Sequence, residues 1–182
     1  MSRTTVREQF INYLNGAGIT YLSEVKNFPA KFTPEGEFYE GQDPGHQQGC
    51  IVYPYIENQS EKRIELTGAT GGGKEITYEV VFTCIFRSNK RKTEDAGVDA
   101  ETFLDSFTNA IRASKNCGGP AVYNQPTAPI FQWGEGSTSG GTDIEVASYY
   151  PRQINGAASV TQVVSTVRVR IIEITPANTY IS

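Results

Sequence analysis

Residues 75–87 alternate so strictly that they admit one reading. Ile76, Tyr78, Val80, Phe82, Cys84 and Phe86 occupy every second position, with Thr77, Glu79, Val81, Thr83 and Ile85 between them. A period of two places the two sets on opposite faces of a strand, whereas a helix would scatter the first set around its axis. The first face is large and aromatic, so a sheet built on this strand has to be covered there by a second layer.

Two segments have the pattern to supply that layer. Thr5-Val6-Arg7-Glu8 has capping-box spacing, and Val6, Phe10, Tyr13, Leu14 and Ala17 follow on one helical face before Gly16 and Gly18. A second helix is expected over 99–115, with Asp99 as its cap, Glu101 in the first turn, and Arg112 and Lys115 in the last. Its buried side carries Phe103, Phe107, Ala110, Ile111 and Ser114. Further strands are expected at 50–57, continued by 62–67, and at 143–150 and 160–174, and weakly at 19–26. Pro54 lacks an N–H, so its strand is expected to lie at an edge or to carry a bulge.

Between these elements lie two long segments rich in glycine and proline, 28–48 and 116–142, both expected to be irregular. Loops beyond about 12–15 residues are uncommon in compact domains and tend to be functional or to order on binding. The order of elements predicts an α+β fold: a mostly antiparallel, twisted sheet with two helices packed on one face and long loops. At 182 residues, with no internal repeat or composition break, residues 1–182 read as a single domain.

Composition narrows the function. Lys and Arg total 16 against 20 Asp and Glu, a net charge of −4, which lacks the basic field that holds proteins on phosphate backbones. His46 is the one histidine, and Cys50, Cys84 and Cys117 form no C-x-x-C pair, so a multi-histidine metal site, a zinc ribbon and a dithiol redox motif are excluded. No cofactor is expected. With charges at Arg3, Arg7 and Glu8 and no apolar run of about 18 residues, a secretory or membrane segment is not expected either, and the protein is read as made inside a cell.

One motif invites an enzymatic reading. Gly68-Ala69-Thr70-Gly71-Gly72-Gly73-Lys74 matches the G-x-x-x-x-G-K part of a phosphate-binding loop. Glu75 then replaces the magnesium-binding hydroxyl, and a strand is expected where the anion-binding helix N-terminus should begin. A small nucleotide-binding enzyme using this loop is the less favoured alternative. Lys90-Arg91-Lys92 reads as a solvated turn, and Asp43-Pro44-Gly45-His46 lacks a converging nucleophile or metal partner. The aromatics of the long segments are more informative, because aromatic anchors are what protein interfaces favour. With the edge strand and the glycine-rich turn they define a candidate contact surface: Phe38, Tyr39, Pro54, Gly71, Gly72, Lys74, Phe131 and Trp133.

Residues 49–112 resemble the tail terminator proteins of long-tailed bacteriophages. The likeness lies in a strand pair containing Glu61-Lys62-Arg63-Ile64, a glycine-rich loop, and a tyrosine-bearing strand ending in Arg87-Ser88. Glu94-Asp95-Ala96 and a helix ending in Ile111-Arg112 follow. The resemblance implies a non-enzymatic virion protein, made in the host cytoplasm, that forms a homohexameric ring on the tail tube and stops its growth. It implies the major tail tube protein and a head-completion or connector protein as partners, with DNA passing through the lumen without specific binding and no membrane contact. A head-completion or connector subunit and a tail-tube subunit are alternatives of the same class.

Overall fold

A computed structural model describes residues 3–27, 48–64, 73–88, 90, 92–114, 130–133, 144–153 and 161–175. The elements are α1 (Arg3–Gly16), β1 (Leu22–Val25), β2 (Gly49–Ile64), β3 (Gly73–Ser88), α2 (Thr93–Ala113), β4 (Ile130–Trp133), β5 (Ile144–Gln153) and β6 (Thr161–Thr175). The strands form one six-stranded sheet in the order β1-β2-β3-β6-β4, with β5 also paired to β6. Every pairing is antiparallel except β1 with β2. The fold is α+β, as expected.

The alternating strand is β3, and it lies at the centre of the sheet. All six residues of its first face are buried, and both helices pack on that face. The Phe82 ring meets Phe10 of α1 edge-on at 5.2 Å and Phe107 of α2 at 5.3 Å. Phe86 packs against Phe103 of α2 at 6.2 Å. Tyr13 of α1 donates its hydroxyl hydrogen bond to the Ala110 carbonyl of α2 at 2.7 Å, which ties the helices to each other.

On the other face of β3, Val81 and Ile85 are buried too, although alternation alone left that face outside the core. Arg168 stands beside Val81 on β6 and reaches across it to Glu57 on β2 with a two-pronged contact, 3.1 Å through Nη1 and 3.3 Å through Nη2. The aliphatic stem of an arginine covers apolar surface well.

The helix starts differ from expectation. α1 begins at Arg3, so Thr5 lies inside the helix rather than capping it. α2 begins at Thr93, six residues before the expected cap Asp99, because Ala96 and Ala100 extend the buried stripe of Phe103, Phe107 and Ile111 backwards. Glu94 and Asp95 occupy its first turn, where carboxylates favour the positive helix end. Asp99 instead sits buried within α2 and accepts the Lys90 ammonium at 2.8 Å and the Gln48 side-chain amide. Lys90 is thus half of an ion pair that anchors the start of α2 to the end of β3, not merely part of a solvated turn.

The segment 116–142 is not irregular throughout, since it contains β4. β5 borders β6 only from Thr161 to Val169, and β4 takes the remaining length from Ile171 to Ile174. At the opposite margin Gly18, with φ +64, ends α1, and Tyr21 adopts φ 62. Gly49 lets β2 start directly beneath this turn, where a Cβ would lie 2.1 Å from the Ser23 hydroxyl oxygen. The Cys50 amide then donates to the Tyr21 carbonyl at 2.7 Å.

Candidate assembly surface

Pro54 lies where one margin of the sheet changes character. β1 borders β2 only as far as Val52, whose carbonyl accepts from the Lys26 amide at 2.9 Å. The amide of Cys50 and the carbonyl of Val52 therefore point away from β3, and the carbonyl of Ile56 does the same by accepting from the Arg3 guanidinium. Pro54 falls in this outward phase, so its missing N–H removes no bond from the β2–β3 ladder. A bulge follows, with Ile56 opposite Val80 and Asn58 opposite Glu79. The strand carries a bulge and, among the described residues, is an edge beyond Val52, the two options its proline allowed.

Beyond the bulge the character of β2 shifts to Asn58, Gln59, Ser60, Glu61 and Lys62, which still pair with β3. Among the described residues no strand borders β2 on its outer side after Val52. The far margin of the same half of the sheet is β4, which pairs with β6 and with no other described strand. Phe131 and Trp133 are in β4, in register with Glu173 and Ile171. Lys74 is in β3, in register with Arg63 and Thr175, and 14 further residues of strand follow it to Ser88. The helix N-terminus that a phosphate-binding loop requires after its lysine is not there. Phe38, Tyr39, Gly71 and Gly72 lie outside the described residues. The structure thus brings Phe131 and Trp133 together on one margin and sets Pro54 on the other.

Two features were not anticipated. Arg3 as a guard of the β2 edge has no local signal, since the residues are 53 apart. The second, a buried carboxylate, did have one. Glu173 continues the alternation of Val163, Val167, Val169 and Ile171 and so had to face the core. It is fully buried and accepts a hydrogen bond from the Tyr78 hydroxyl at 2.7 Å.

Among the described residues no cluster of His, Cys, Asp or Glu has the makings of a metal site, and no helix is long and apolar enough to cross a membrane. No buried side-chain nitrogen or oxygen among them lacks a hydrogen-bond partner.

Cys50 and Cys84 are free thiols on the helix-covered face. Burial pushes the Cys50 thiol well above its ordinary value, and the adjoining Cys84 thiol adds to the shift. Tyr53 is also raised, first by burial and then by the nearby Glu24 carboxylate. Lys90 is raised by its hydrogen bond to Asp99. All three shifts have one sign in linkage. Each group holds its proton more tightly in the native state, so its contribution is complete below the unfolded-state value and is lost as pH rises through the native one. Urea midpoints measured from pH 7 upward are therefore expected to decline once the pH passes the ordinary thiol value of 9.0. Cys50→Ala is expected to flatten the first part of that decline, and a midpoint that rises with pH there would contradict the assignment.

In comparisons with known proteins, no family model and no curated protein matches this chain.

Proposed function

We propose that this protein is the tail terminator of a long-tailed phage, a structural subunit that closes into a ring on the tail tube, stops its polymerisation and offers the surface to which the head joins. The observation that carries the proposal is the asymmetry of the sheet margins. One half of the sheet is bordered by β2 on one side and by β4 on the other, and the two differ in length, sequence and polarity. Cyclic rings use heterologous contacts, in which one patch of each subunit meets a different patch of the next. The resemblance of residues 49–112 to tail terminators supports the same reading. So does the charge, because a protein of net charge −4 has no general attraction to DNA moving through its lumen.

The test is to add the purified protein to polymerising tail-tube subunits of its phage and to score tube length by electron microscopy. Short tubes whose ends carry a ring of about six copies are the expected result. Unchanged tubes with nothing bound would overturn the proposal, and co-polymerisation along the tube would make the chain a tube subunit instead.

A further inference from the structure

We propose that β2 beyond its bulge, centred on Ser60, pairs with β4 of a second copy of this chain, so that the sheets of neighbouring subunits join edge to edge. The inference rests on the self-assembling reading above and adds which strands meet and in which direction.

A sheet edge is a template for another strand, and proteins commonly blunt it with prolines, charges or covering elements. Among the described residues the blunting is confined to one half. β1 covers the edge to Val52, Pro54 has no N–H to give, and Arg3 takes the Ile56 carbonyl. After the bulge none of these devices is found among the described residues, and Asn58, Gln59 and Ser60 form a run without charge. An incoming strand is thereby directed to the far half of β2. The bulge also adds local twist, which swings that half away from the blocked stretch.

Across this half of the sheet β2, β3, β6 and β4 alternate in direction, each antiparallel to its neighbour. β4 therefore runs opposite to β2. A copy related by rotation about an axis along the strands presents its β2 antiparallel to β4, and the alternation continues unbroken from subunit to subunit. Ser60 is in register with Thr77, Thr77 with Ile172, and Ile172 with Gln132, so these two edges, unpaired among the described residues, stand at the same height on opposite margins. Closing such a sheet on itself demands a stagger between copies, which shifts the contact by a few residues along β2 but keeps it within the unblocked half.

The competing arrangement is a two-fold pairing of β2 with β2, which is also antiparallel but closes at two copies and leaves β4 unused. Cysteine cross-linking separates them. In a Cys117→Ser background, Gln132→Cys is combined with Asn58→Cys, Ser60→Cys or Lys62→Cys. The proteins are treated with a short bis-thiol reagent, both concentrated in solution and on tube ends. At least one pair is expected to give a ladder of covalent oligomers beyond the dimer, while each single variant stays monomeric. A dimer from Ser60→Cys alone would overturn the proposal in favour of the two-fold contact, and so would the absence of a ladder from all three pairs in folded protein. The two readings fail separately. Capped tubes without a ladder would sink this pairing and leave the terminator function standing, whereas a ladder with uncapped tubes would do the reverse.

Discussion

Replacing Phe82 with alanine is expected to destabilise the protein by about 3–5 kcal/mol, the range for truncating a buried phenylalanine. Phe82 is fully buried and is the ring that touches both helices, edge-on against Phe10 of α1 and Phe107 of α2. Its removal takes away apolar burial and also two aromatic pairs that contribute about 0.5–1.5 kcal/mol each beyond their area. Because a domain of this kind is stable by only about 5–15 kcal/mol in total, the variant sits near or past the point of unfolding at 37 °C. Urea denaturation followed by far-UV circular dichroism measures the effect. A loss below about 1 kcal/mol would mean that the helices do not close over β3 in the way described.

Tyr78→Phe is expected to cost about 0.5–1.5 kcal/mol, the net worth of a typical intramolecular hydrogen bond. The substitution keeps the ring and its packing and deletes only the hydroxyl, so the loss reports on what the hydroxyl bonds, Glu173 included. The Glu173 side chain is fully buried, so the bond is made away from water. A double-mutant cycle with Glu173→Gln, read from denaturation midpoints, apportions the pair. A coupling within about 0.3–0.5 kcal/mol of zero, the scatter expected for independent sites, would show that the two side chains do not interact. The pair lies in the same half of the sheet as the proposed subunit contact.

How much was legible in the residues differs from element to element. The even face of β3 was fully readable, because a period of two is a local property and all six residues proved buried. The stripe of α2 was readable too, but its start was not. Asp99 has the chemistry of a cap, and only packing shows that Ala96 and Ala100 belong to the buried face and carry the helix back to Thr93. For the contact surface, Pro54 announced an edge or a bulge by its missing donor, and both are present among the described residues. Phe131 and Trp133 were singled out as aromatics in an irregular segment, yet they belong to a strand, because β5 leaves the end of β6 unpaired and a short segment between glycine-rich stretches fills the gap.

The sequence by itself determined the class of fold, the central strand and its buried face, the two covering helices and the placement of a carboxylate at Glu173 in the core. Each of these follows from the spacing of side chains along a few neighbouring turns or residues, which the chain carries locally. The tertiary structure alone decided the strand order, the parallel entry of β1, the guarding of β2 by Arg3 and the existence of β4. Those depend on backbone hydrogen bonds between segments distant in the chain, and such bonds are made by groups that every residue but proline possesses, so no residue type names its partner.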